Sequence, residues 1–425
     1  MPLTYKLIGF AQGMLVLIGI TFAIGCARNH GDVYQFEPAP RAVLAQAGFV
    51  SSRNPKLGAD WVSSPTLYLL AVLQHGEQSR LGLLTSSDGG DSFAKPVWVS
   101  APGSAVTSGG ENSPAFAATE RALYAAWNEG HHLLFARSLN WGGSFEKPIA
   151  IADKTDDSFS GYPSLAVAPN GDVYAVWIDT RDREGGADEN YAVYLARSTD
   201  GGANFGKNTR VAIKICPCCR PTLVFGPGGE VLVIWRHIYP GPIHDMTVAV
   251  SRDNGQTFTA PRRIAEDNWK IDGCPDSGPA VARSGKRIYV AWLTEARPEI
   301  SGVRLSWTDD AGATWAPAMM GSQGILDANY PAFSVGDDGR AVLDFQGRDP
   351  HARAGWSPFG VYAVEIGADG RLGRPAAVPG ITSSAQRPSV AAGTGGRLYV
   401  AWTGTAENQK VVYISRGRSG GQGQP

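Results

Sequence analysis

The stretch Ser86-Ser87-Asp88-Gly89-Gly90-Asp91-Ser92-Phe93 returns down the chain, and its recurrence decides the fold. It reappears as Ser138-Leu139-Asn140-Trp141-Gly142-Gly143-Ser144-Phe145, then at Ser198–Phe205, Ser251–Phe258 and Thr308–Trp315. The Asp or Asn falls at 88, 140, 200, 253 and 310, so successive copies lie 52 to 60 residues apart. The chemistry of the stretch is local: the carboxylate or amide accepts turn N–H groups, Gly supplies positive φ, and the aromatic plugs between strands. It is a turn-forming device between two strands, and no catalysis is assigned to it.

A second unit precedes most of these turns. Leu123–Trp127, Val173–Trp177, Val231–Trp235, Ile288–Trp292 and Leu398–Trp402 are five-residue apolar runs ending in Trp, which predict buried strands. About ten residues upstream of each stands a Pro-led strand, at Pro114, Pro163, Pro221, Pro279 and Pro388, with Pro331 opening a degenerate further unit. One repeat is therefore a Pro-led strand, a Trp-ended strand, a strand entering the turn and a return strand. Four antiparallel strands repeated at this period predict an all-β propeller. Seven blades are expected, with six the alternative. The first repeat, Leu67–Ser100, lacks a Pro-led strand, and the last, Arg387–Arg416, ends before its return strand. These complementary deficits predict ring closure, with the segment Arg41–Ser52 completing the ring.

The repeated turn, S/T-x-D/N-x-G-x-S/T/N-F/W, resembles the Asp-box, or BNR repeat, of sialidase-like propellers. That resemblance implies a carboxylate-gripping set of three arginines, a Tyr/Glu nucleophile pair and an Asp acid; planar guanidinium forks suit a carboxylate. Sialidases usually carry the first arginine in an Arg-Ile-Pro element, and this chain has no such tripeptide. Arg181, Arg236, Arg297, Arg348 and Arg387, with Tyr330 as nucleophile, are the candidates for those roles, and no motif fixes any of them. A shared fold does not by itself carry a function.

At 425 residues, 43% hydrophobic and 18% charged, the chain can bury a large core, which excludes intrinsic disorder. Its net charge of −1, without a Lys/Arg block, argues against a nucleic-acid partner. The N-terminus reads as a targeting element. Lys6 precedes an apolar run, Leu7–Ile24, that ends in Ala23-Ile24-Gly25-Cys26. Small residues before a cysteine resemble a bacterial lipoprotein signal, cleaved before Cys26 and lipidated there; the alternative is an uncleaved anchor. Either way the mature chain is expected outside the cytoplasm, membrane-anchored in the cell envelope and facing the periplasm or exterior. The expected order is signal 1–26, tether 27–42, one propeller domain 43–418 and a tail 419–425.

Propeller topology gathers the loops before the Pro-led strands and after the Trp-ended strands onto one face. Those loops hold Asp179, Arg181, Asp182, His237, His244, Glu295, Asp349, His351, Tyr162, Tyr330 and Arg387, and this face is the expected ligand site. Four cysteines join it. Cys216-Pro217-Cys218-Cys219 and Cys274 each stand just before a Pro-led strand, in successive repeats, which places them together on neighbouring blades. Three readings stay open: a structural disulfide between Cys274 and the triplet, a thiolate site for Cu(I) or Zn, or a disulfide that exchanges between partners. Trp269–Pro275 and the Cys-Pro-Cys-Cys element resemble a group of bacterial sialidase-family lipoproteins. The function expected is an envelope propeller that binds a ligand, metal or partner (a glycan, a small molecule or an envelope protein) on its loop face. The alternative is an exo-α-sialidase-like glycoside hydrolase.

Overall fold

The computed structural model describes residues 34–43, 51–60, 66–75, 78–183, 191–352, 357–367 and 369–419. They form seven antiparallel sheets, each built mostly from consecutive strands, which is the seven-bladed propeller the repeat period predicts. Blade 3 is typical. Ser160–Val167, Val173–Asp179, Ala192–Ser198 and Thr209–Ile213 pair in order, each antiparallel to the next. The Pro-led strand lies innermost and the return strand outermost.

Closure differs from the sequence expectation in its parts. Tyr34–Phe36 and Arg41–Ala42 pair with Gln409–Ser419 and complete blade 7, so residues 34–42, read as tether, already belong to the ring. Ser51–Asp60 is instead the innermost strand of blade 1, and its buried Pro55 is the proline the first repeat seemed to lack. Its sequence, SSRNPKLGAD, is too polar to announce a strand. Pairing from both ends of the chain covers an edge that blade 7 would otherwise leave open.

The core sits between blades. Trp127, Trp177, Trp235, Trp292 and Trp402 are each at most 1% exposed, and Phe345 takes the equivalent place in blade 6. Trp177 of blade 3 packs with Tyr124, Ala126 and Leu133 of blade 2. A buried indole needs an acceptor for its N–H, and several are built into the strand. Glu129 accepts from Trp127 at 2.7 Å, Asp179 from Trp177 at 2.8 Å, and His237 from Trp235 at 3.3 Å, always two residues on.

All five repeated turns share one hydrogen-bond pattern. In the first, Gly90 N donates to Ser86 Oγ at 2.8 Å, and Ser92 N donates to Asp88 Oδ1 at 3.0 Å. The corresponding Gly142, Gly202, Gly255 and Gly312 donate to their own Ser or Thr at 2.8–2.9 Å, with φ of 84–86°. Each turn also meets the blade before it. Arg137 of blade 2 donates to the carbonyls of Asp200 and Gly201, and Arg262 of blade 4 to that of Ala313. Arg416 of blade 7 reaches the Gly89 carbonyl of blade 1 at 3.1 Å. The device joins blades as well as strands.

Candidate functional site

The innermost strands carry an unusual backbone at one end. Tyr162, Tyr330 and Arg387 immediately precede Pro163, Pro331 and Pro388, and they hold φ of 59°, 50° and 50°. The strand register breaks at the same places, between Gly161 and Ser164, Asn329 and Ala332, and Gln386 and Ser389. A left-handed residue other than Gly costs about 1–3 kcal/mol and persists only where surroundings impose it. Bulges of this kind re-aim a side chain. Here they bring side chains of separate blades together at the mouth of the central channel.

Asp276 is the meeting point. Its own φ is 45°. Its Oδ1 accepts from the backbone N of Glu111, in the blade 2 loop, at 2.9 Å. Its Oδ2 accepts from Tyr330 Oη of blade 6 at 3.2 Å and from Arg387 Nη2 of blade 7 at 3.3 Å. Arg387 Nη2 also reaches Tyr330 Oη at 3.4 Å. Arg220, preceding Pro221 of blade 4, donates to the Glu111 carbonyl at 2.6 Å and to the carbonyl and hydroxyl of Ser113. Blade 5 has Gly278 at the pre-proline position because the Arg220 backbone fills the space: a Cβ there would lie 2.4 Å from the Arg220 carbonyl oxygen.

Lys56, after Pro55 of blade 1, completes the group. Burial, reinforced by Arg220, pulls its amine down to about 7. Burial pushes the Glu111 carboxyl up, against the pull of Arg220 and Lys56. Burial also holds the Tyr162 and Tyr330 phenols at about 12, so both are protonated donors at neutral pH. Three cations, Lys56, Arg220 and Arg387, thus face two carboxylates, Glu111 and Asp276. The Nε atoms of Arg220 and Arg387 are buried without a partner. Unsatisfied cationic donors in a shielded mouth favour an anionic occupant.

The cysteines adjoin this mouth. Cys218 and Cys274 form a disulfide with Cα atoms 6.2 Å apart, bridging blades 4 and 5, while Cys216 and Cys219 are free and buried. Cys216 Sγ lies 3.1 Å from Cys219 Sγ and 3.6 Å from Cys218 Sγ. The bridge joins the loop that carries Arg220 to the loop that carries Asp276.

Of the residues singled out in the sequence, Tyr162, Tyr330 and Arg387 meet at the mouth. Arg181 is engaged by Asp179, at 2.9 Å, and by Asp153, at 2.7 Å, and lies over the Tyr194 ring. Asp182 accepts from Tyr194 Oη at 2.8 Å. His237, lowered to about 4 by burial and by Lys214 and Arg263, is neutral beside Trp235. Arg236 and His244 are buried behind the cysteines. Arg348 pairs with Asp327 at 2.9 Å and lies over Phe359. Glu295, Arg297, Asp349 and His351 are exposed loop residues. Cys26 lies outside the described residues. Sequence reading did not single out Lys56, Glu111, Arg220 and Asp276. Arg220 was visible as the residue before its blade's proline, the position Tyr162, Tyr330 and Arg387 share; the other three carry no such signal.

No protein-family model matches the chain, and no curated protein sequence does. Solved structures resemble it in fold. A protein of unknown function from Dyadobacter fermentans aligns at TM-score 0.54 and 13% identity, covering 91% of this chain and 99% of that one. The polysaccharide lyase Uly1 aligns at TM-score 0.52 and 10% identity over 86% of this chain and 90% of its own. A Trypanosoma rangeli sialidase aligns at TM-score 0.50 and 12% identity over 90% of this chain, which spans 59% of the sialidase's length. At these identities the likeness is one of fold: the chain shares its propeller architecture with sialidases and polysaccharide lyases.

Proposed function

We propose that this protein is an exported, membrane-tethered propeller that binds an acidic saccharide at its channel mouth. The observation that carries the reading is the convergence of Lys56, Arg220 and Arg387 with two protonated phenols, two of the cations bearing buried unpartnered Nε atoms. A sugar carboxylate matches planar guanidinium forks, and the phenols add hydroxyl donors beside them. That two proteins of similar fold are named as a sialidase and a polysaccharide lyase supports a carbohydrate ligand. The test is titration calorimetry with uronic- and sialic-acid oligosaccharides against their methyl esters. Binding of an acid but not of its ester, weakened about tenfold or more in Arg220→Ala and Arg387→Ala, is expected; no binding by any acidic saccharide overturns the reading. Export and tethering, read from the sequence up to Cys26, are tested by membrane fractionation of the wild type and Cys26→Ala, the variant being released from the membrane.

Hydrolysis is the second reading, favoured by the 3.2 Å contact between Tyr330 and Asp276. A carboxylate that accepts a phenol's proton is what a tyrosine nucleophile requires. Turnover of a fluorogenic sialoside, lost in Tyr330→Phe with binding retained, supports it; absence of turnover across sialosides and glycuronides leaves the binding role alone.

A further inference from the structure

The cysteine cluster is asymmetric. Cys216, Cys218 and Cys219 are at most 7% exposed, whereas Cys274, the other end of the bridge, stands at the surface. Behind the cluster, Arg236 is 1% exposed, and its guanidinium donates only to the carbonyls of His244, Ser277 and Leu293, at 3.2, 3.3 and 2.8 Å. It has no carboxylate partner among the described residues. A buried guanidinium without a counter-charge is costly. Cys216 is bound to the same strand, its N–H donating to the Arg236 carbonyl at 2.9 Å. An ionised Cys216 supplies the missing anion.

The two free thiols are not equivalent. The hydrogen bond with Cys219 pulls Cys216 down to about 5 against its burial, and His244 and Arg236 add to the pull. Burial, with Cys216 ionised beside it, pushes Cys219 well above the ordinary thiol range. Cys219 therefore keeps its proton. It is also the farther of the two from Cys218, at 3.9 Å against 3.6 Å.

We propose that Cys216 is the nucleophile of a thiol–disulfide exchange centre, with Cys218–Cys274 as its internal disulfide and external disulfides as its substrate class. The Cys216 thiolate attacks Cys218 Sγ; the Cys216–Cys218 bond forms, the Cys218–Cys274 bond breaks, and the electron pair leaves on Cys274. Three sulfurs exchange one bond, with no net oxidation. The freed Cys274 thiolate, at the surface, then attacks a disulfide R–S–S–R, forming Cys274–S–S–R and expelling R–S⁻. A purely structural staple has no use for a second pair of thiols in contact with it. Exchange also unlinks the loop of Asp276 from that of Arg220, so the chemistry reaches the mouth, although the proposal does not depend on what binds there.

The test alkylates the native, saccharide-free protein, purified without reductant, with iodoacetamide and maps modified and bridged peptides by mass spectrometry. Expected are carboxamidomethyl-Cys274 and a Cys216–Cys218 bridge in the wild type, with Cys274 unmodified and still bridged in Cys216→Ala. The wild-type result decides even if a variant fails to fold. Unmodified wild-type Cys274 overturns the proposal, as does labelling unchanged in folded Cys216→Ala, a Cys216–Cys219 bridge, or a stoichiometric metal ion held by the four cysteines.

Discussion

The phenol of Tyr330 in blade 6 donates to the carboxylate of Asp276 in blade 5 at 3.2 Å, and both residues hold left-handed backbone to do so. Strain at both ends of one hydrogen bond marks a constellation held by its surroundings. Removing the hydroxyl in Tyr330→Phe is expected to weaken acidic-saccharide binding by about three- to tenfold, the worth of one hydrogen bond. Arg387→Ala, which removes a charged donor, is expected to cost about ten- to a hundredfold. Calorimetric titration of both variants checks these values.

Affinity for an anion should rise as pH falls through neutrality. Lys56, held at about 7, gains its charge in that range, and Glu111, pushed up by burial, also loses charge with falling pH. Both changes make the mouth more positive. In Lys56→Met the rise near pH 7 disappears. Titration at pH 6 and pH 8 checks it.

Asp344 offers a stabilising change. It is fully buried, and neither carboxyl oxygen has a partner. It precedes Phe345 where other blades place Ala126, Val176, Ile234, Ala291 or Ala401 before Trp. Burial raises its folded pKa well above the ordinary value. Below its unfolded pKa, about 4, the group is protonated in both states and carries no ionisation penalty; above it, stability falls as pH rises. Asp344→Val is expected to stabilise by roughly 1–3 kcal/mol at pH 7 and by less at pH 4. Thermal melts at the two pH values check it.

The turn device is tested at Ser251, which is 1% exposed and accepts from Gly255 N at 2.8 Å. Ser251→Ala leaves that N–H without its acceptor and should cost roughly 1–3 kcal/mol in denaturant melts. Saccharide binding stays unchanged, because the turn lies on the opposite face from the mouth.

Gly278→Ala acts on the mouth through packing. The added methyl meets the Arg220 backbone, which cannot move without displacing its guanidinium. A loss of roughly 1–3 kcal/mol in stability, with weakened saccharide binding in the protein that folds, is expected from parallel melts and titrations.

The architecture was legible because its signals are local. Five turns with the same hydrogen bonds and five Trp-ended strands each announce themselves within eight residues, and their spacing counts the blades. What escaped was not local. Ser51–Asp60 is a strand because the ring needs an inner partner for Thr66–His75, not because its own residues favour one. Asp276 and Glu111 are 165 residues apart and meet only because blades 2 and 5 face each other across the mouth. Loop charges such as Arg181 and Asp179 looked free in the sequence, yet the fold uses them to hold one another and the Trp177 indole.

Three clasps between blades run from an arginine on one blade to the turn of the next, and the last of them spans the whole molecule. Arg416 grips the Gly89 carbonyl, 327 residues away, and its guanidinium pairs with Glu37 beside the opening strand. A nascent chain can therefore stack its early blades, but it cannot latch until its final strand has emerged. Premature stops or proteolytic nicks near the C-terminus would leave an unlatched arc with bare sheet edges, and quality control in the compartment where it folds would meet that arc rather than a slightly shortened ring.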